Sequence, residues 1–124
     1  MGRTPAPPPQ RKLVDGYGAG GFKVAGERIA GSLLITSTAA MAWDIAAPQD
    51  VTVAALEPLL AAEAGLEILL LGTGARMAPP MPAVRAALKA RGVALEMMTT
   101  GAACRTYNVL VAEGRRVAAA LIAV

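Results

Sequence analysis

The run Leu66-Glu67-Ile68-Leu69-Leu70-Leu71, closed by Gly72-Thr73-Gly74, constrains the fold more than any other segment. A strand with one wet face alternates apolar and polar residues, whereas a near-continuous apolar run belongs to a strand buried on both faces. That is the position of a central parallel strand, and parallel strands need crossover connections that pack on the sheet. The residues that follow provide them. After a loop of roughly ten residues, longer than the usual βα connection, Pro82 fits the first turn of a helix running to Arg91, with Val84 and Leu88 on its buried face and Gly92 as the stop. Val93 to Met98 is the next strand. Gly101 to Glu113 is the next helix, with Ala103, Tyr107, Leu110 and Val111 as its apolar stripe, and Val117 to Ile122 follows the turn at Gly114 as the last strand. The spacing predicts a C-terminal parallel β-α-β-α-β unit with right-handed crossovers.

The front of the chain has a different rhythm. From Val14 to Thr38 the glycines are dense and the apolar runs short: Phe22-Lys23-Val24, Arg28-Ile29, and Ser32 to Thr36. Glycines at this density mark tight turns between antiparallel strands. A further strand surrounds Met41 to Ile45, with Trp43 as a core anchor. Thr52 can cap a helix running towards Glu63, which Pro58 should interrupt or restart. Residues 1–12 hold four of the nine prolines and predict a disordered, Pro-rich tail. Pro5 to Pro8 also fits a PxxP docking pattern, but a solvated tail is the plainer reading. The expected architecture is a three-layer, single α/β domain over residues 13–124, a mixed sheet with antiparallel N-terminal strands and the parallel unit behind them.

Composition limits the chemistry. The chain has no His, which removes imidazole catalysis, a Ser-His-Asp triad and a Cys-His dyad. A single Cys can form neither an intrachain disulfide nor a zinc knuckle, and it suits a reducing compartment. No metal or cofactor is expected. The net charge of +3 comes from Arg3, Arg11 and Lys12 in the tail; the remaining residues carry nine basic and nine acidic groups. With aromatics at 3%, the chain lacks both the basic field and the stacking platforms of a nucleic-acid module. The longest charge-free run, Ile29 to Trp43, includes two Ser and two Thr and falls short of the roughly 20 residues of a bilayer span. No signal-peptide pattern opens the chain. The expectation is a cytoplasmic protein, at most peripheral to an inner membrane.

In a sheet of this kind ligands bind where the parallel strands end. Gly72-Thr73-Gly74 and Thr99-Thr100-Gly101 should share that edge. Their N–H groups and hydroxyls, the following helix N-terminus, and the charges of Arg76 and Arg105 could hold a carboxylate or phosphate. A tight turn without a ligand accounts for the same residues. Cys104, in the first helical turn beside Arg105, is either an activated thiolate or a small inert side chain. Glu96 falls in a strand expected to be covered on both faces, where a carboxylate needs a partner, and Arg105 or Arg115 could supply it. Asn108 should bond to backbone. No residue is expected to be catalytic.

These residues also carry a resemblance. Gly16-Tyr17-Gly18, Phe22, Gly31-Ser32, Trp43, Gly72-Thr73-Gly74, Glu96 and Thr99 match in order. Most specific is Ala103-Cys104-Arg105-Thr106-Tyr107-Asn108 with Glu113-Gly114-Arg115 and Val117-Ala118-Ala119-Ala120-Leu121. Over residues 13–124 the chain resembles the domain-of-unknown-function family that includes mitochondrial NADH dehydrogenase (complex I) assembly factor 3. The resemblance implies a compact three-layer α/β domain without established catalysis or cofactor. It also implies partners among the subunits or assembly factors of a membrane respiratory complex, here in a bacterial member. Two functions follow as expectations. One is a non-enzymatic interaction or assembly factor, with a homodimer through the apolar, Gly-rich front as a further arrangement. The alternative is a small-molecule binder or enzyme using the Gly72–Gly74 and Thr99–Arg105 edge.

Overall fold

The computed structural model describes residues 11–79 and 82–124. The PxxP segment and the first ten residues of the expected tail lie outside them. Arg11 and Lys12, its last two residues, are tied to the domain: the Arg11 guanidinium donates to the Val111 carbonyl, Lys12 N–H donates to Ser37, and Lys12 C=O accepts from the Tyr107 hydroxyl.

The front opens with a small antiparallel sheet of β1 (Val14–Gly18), β2 (Gly21–Val24) and β3 (Glu27–Ala30). Both of its hairpins turn on two residues, Ala19-Gly20 and Ala25-Gly26, with positive φ throughout. That is the turn geometry whose twist matches the strands. An alanine occupies the first place in each, at φ 51° and 52°, where a Cβ is strained.

A five-stranded sheet forms the centre, in the order β5-β4-β8-β6-β7. Its members are β4 (Ser32–Thr36), β5 (Ala40–Trp43), β6 (Ile68–Gly72), β7 (Ala94–Met98) and β8 (Val117–Leu121). β6 runs parallel to both β7 and β8, while β4 joins β8 and β5 antiparallel. The expected parallel unit is therefore present, and β8 welds it to the antiparallel front. Of the crossover helices, α1 (Val53–Ala62) and α2 (Pro82–Ala90) cover one face, over Leu34, Leu69, Leu71, Leu95, Ala118 and Ala120. α3 (Thr100–Ala112) and the small sheet cover the other, over Leu33, Ile35, Leu70, Val117, Ala119 and Leu121. Each buried leucine of β6 contributes about 1.5–3 kcal/mol. The three alanines of β8, all fully buried, keep the strand thin enough for helices to approach on both sides.

α1 departs from expectation, because it runs unbroken through Pro58. Pro58 and Ala54 are both exposed, so the carbonyl left without a helical donor can bond water instead. Thr52 caps the helix as expected, its hydroxyl accepting from Ala55 N–H. Trp43 is buried, and its indole N–H donates to the Ala55 carbonyl, fixing the start of α1 against β5.

Candidate functional site

The parallel strands end on a common rim, and there Gly72, Thr73, Gly74, Thr99 and Thr100 come together. The arrangement centres on Thr100, which is fully buried. Its hydroxyl accepts from Gly74 N–H at 2.9 Å and donates to the Ile122 carbonyl at 2.7 Å, while its own N–H donates to the Gly74 carbonyl. One side chain thus laces the ends of β6 and β8 to the start of α3. Thr73 does the same for β7 and the following loop. Its N–H donates to the Met98 carbonyl, its hydroxyl donates to the Arg76 carbonyl at 2.6 Å, and that oxygen accepts from Ala78 N–H. Thr99 caps α3 by accepting from Ala102 N–H.

This pattern bears on what the rim can hold. An anion site needs free donors converging on a space. The N–H groups of Thr73, Gly74, Thr100, Ala102 and Ala103 all have acceptors within the protein. Both buried hydroxyls are engaged as well. Two glycines complete the seam. A Cβ on Gly72 would stand 2.9 Å from Thr100 Cα and 3.0 Å from a Leu121 methyl, so its absence lets α3 lie against β6. A Cβ on Gly101 would stand 2.5 Å from the Tyr17 hydroxyl, so the first turn of α3 is roofed by the tip of β1.

The remaining candidates separate. Arg76 is exposed on the loop. Arg105 is exposed on α3, with a long contact of 3.3 Å from its guanidinium to the Tyr17 hydroxyl. Cys104 turns inward and is 3% exposed among Val14, Phe22 and Tyr107. Burial pushes its thiol from 9.0 up to about 11, against a smaller lowering from the Arg105 guanidinium. The helix-start argument for a thiolate fails because Cys104 faces the core. Asn108 bonds to backbone as expected: its carboxamide accepts from Val14 N–H and donates to the Val14 carbonyl, both at 2.9 Å. It covers the open edge of β1 as a neighbouring strand would.

Glu96 needs a correction. It is exposed, and it forms no ion pair with Arg105 or Arg115. Among the described residues the side-chain ion pair is Arg91–Glu57, joining α2 to α1. The cause is topological: β8 inserts between β4 and β6, which leaves β7 at the edge of the sheet. Arg115 is exposed in the turn after α3. The contact between Tyr17 and Gly101 was not anticipated. Its signal was a glycine in the first turn of a helix, a residue that weakens helices by about 1 kcal/mol and therefore hints at close approach. Among the described residues no cluster of potential metal ligands forms, and no helix is long and apolar enough to cross a membrane.

Comparison with known proteins adds a family. The sequence profile of a protein family of unknown function, DUF498/DUF598, matches residues 14–122. A mouse protein named NADH dehydrogenase [ubiquinone] 1 alpha subcomplex assembly factor 3 is 34% identical over 92% of the chain. The chain spans 62% of that relative's length. An uncharacterized protein of Rhodobacter capsulatus is 42% identical over 88% of this chain and 82% of its own. Among solved structures, a Bordetella parapertussis protein superposes with a TM-score of 0.86 at 37% identity, covering 95% of this chain and 100% of that one. A Bartonella henselae protein described as an outer membrane protein gives 0.83 at 35% identity, covering 93% and 97%.

Proposed function

The chain belongs to the DUF498/DUF598 family, and from that membership we propose that it is a non-enzymatic interaction factor in the assembly of a complex I-like respiratory complex. One observation carries the reading: relatives named as assembly factors of that complex align with 92% of the chain at 34–35% identity. Its partners are then subunits or other assembly factors, met at the membrane surface. The internally bonded rim supports this reading over a small-molecule site, because a carboxylate or phosphate entering there would have to displace Thr100 and Thr73 from their partners. The absence of His from the whole sequence points the same way. Three large apolar side chains, Tyr17, Met77 and Val109, are exposed where contacts with another protein could bury them.

Deletion of the gene in the native cells tests the proposal. Native-gel separation of the membranes should show accumulated subcomplexes and a reduced amount of full-size NADH dehydrogenase, restored by re-expression of the chain. A full-size complex at wild-type abundance in the deletion strain would overturn it.

A further inference from the structure

The edge strand β7 and helix α2 enclose an open groove of about 400 Å³, lined by Pro79, Pro82, Arg85, Ala86, Lys89 and Met97. Four of these residues are apolar or nearly so, two are cations one helical turn apart, and none is acidic. Glu96 does not intrude, because successive strand residues face opposite ways. Leu95 and Met97 pack towards α2, so Glu96 points to the α3 side.

The backbone of β7 is equally one-sided. Ala94 N–H donates to Glu67 and the Met98 carbonyl accepts from Thr73, so residues 94, 96 and 98 turn their peptide groups towards β6. Leu95 and Met97 therefore turn theirs outward, as on any unpaired edge. Arg85 takes the Leu95 carbonyl at 2.8 Å through one guanidinium nitrogen. A guanidinium has five N–H donors, so its other donors remain available to a carboxylate. The groove at the opposite edge of the sheet, beside β5, differs in its charge: it is lined by Met41, Trp43 and Ile45 and carries Asp44 instead of cations.

We propose that the β7–α2 groove docks an extended segment of a partner protein, one that alternates carboxylate and apolar side chains and adds a strand beside β7. Main-chain hydrogen bonds to the Leu95 N–H and to the Met97 N–H and carbonyl supply the pairing, beside the Leu95 carbonyl that Arg85 holds. Arg85 and Lys89 select carboxylates on the α2 side, and the apolar wall in the same groove packs against the methylenes that carry those carboxylates. Strand addition of this kind draws affinity from the main chain and specificity from the flanking side chains. The inference rests on the interaction reading only in assigning the groove to a protein partner.

The test uses the full chain and a fluorescein-labelled, end-capped Val-Glu-Val-Glu-Val-Glu peptide, followed by anisotropy, with the Lys-for-Glu peptide as control. Saturable binding of the acidic peptide alone is expected, weakened at least tenfold between 50 and 300 mM NaCl, as screening of close charge pairs requires. Lys89→Glu should weaken it at least fivefold while melting like the wild type; Arg85→Glu should do the same, and Lys89 decides if that variant folds poorly. No binding, equal binding of both peptides, or an unchanged Lys89→Glu would each overturn the proposal. So would sedimentation showing that the chain self-associates and that Lys89→Glu abolishes this, because the occupant is then a second copy. Complementing the deletion strain with Lys89→Glu separates the two ideas. An assembly defect rescued in full by this variant removes the groove and leaves the assembly role standing. A strain with no defect, beside intact peptide binding, removes the assembly role and leaves the groove.

Discussion

Replacing Thr100 by Val asks whether the rim is a structural seam. The two side chains are nearly isosteric, so the change removes little but the hydroxyl. That hydroxyl serves two groups at once, the Gly74 N–H and the Ile122 carbonyl, in a position with no solvent exposure. Each buried group left without its partner costs about 1–3 kcal/mol. The expected loss is therefore about 2–6 kcal/mol, a large part of the roughly 5–15 kcal/mol that holds a domain together. Near 3 kcal/mol, the melting temperature of a chain this long should fall by roughly 9–18 °C. Thr100→Ser is the control, since it keeps the hydroxyl and gives up one methyl, at about 1 kcal/mol. Urea titrations followed by circular dichroism give both differences, and equal slopes for the three proteins show that the unfolded states are comparable. If Val proves as stable as Ser, or falls within about 0.5 kcal/mol of the wild type, an ordinary surface effect, the rim does not depend on this hydroxyl.

The two close-approach glycines should respond differently. Gly72→Ala pushes a Cβ onto the Thr100 backbone and should cost about 1–3 kcal/mol or more. Gly101→Ala meets only the tip of exposed Tyr17, which can swing away, so denaturation should detect less than about 1 kcal/mol. Ala25→Asn in the second hairpin turn suits a positive φ and should stabilise the protein by roughly 0.5–1 kcal/mol, with a higher melting temperature. Alkaline pH should expose the buried Cys104. Its thiol pKa is raised on folding, so stability is fully present below the unfolded value of 9.0 and falls as pH rises towards about 11. Melts from pH 7 to 11 should show that decline. Cys104→Ala should flatten part of it, the remainder belonging to Tyr107, whose phenol burial also pushes upward. Iodoacetamide should modify native Cys104 far more slowly than the unfolded chain at pH 8.

The parallel unit was legible because its signals are local: an apolar run, then Pro82, Gly92 and Gly114 at the helix boundaries. The neighbours of each strand were not, since strand order depends on contacts between distant residues. Glu96 shows the consequence. Its strand carries the same apolar signature whether it sits at the centre or the edge, and only the insertion of β8 beside β6 makes it an edge. The rim was legible as a meeting place of Gly72, Thr73, Gly74, Thr99 and Thr100, but its bonding was not, because a threonine in a loop looks the same whether it faces a ligand or a carbonyl. Cys104 and Arg105 illustrate the same limit on a helix. Adjacent residues there point about 100° apart, and the stripe containing Ala103 and Tyr107 carries Cys104 inward while Arg105 stays in water.

Among the described residues β8 follows every other strand, yet it is the one that both β4 and β6 must pair with. During synthesis the hairpin of β4 and β5 and the pair β6–β7 emerge first, each with an edge still waiting for its neighbour. The halves can then gather but not lock, and closing the sheet waits on β8. A translational stall shortly before Val117 would release a chain with two bare strand borders and an uncovered apolar face. Protein quality control would encounter that species before the sheet could close.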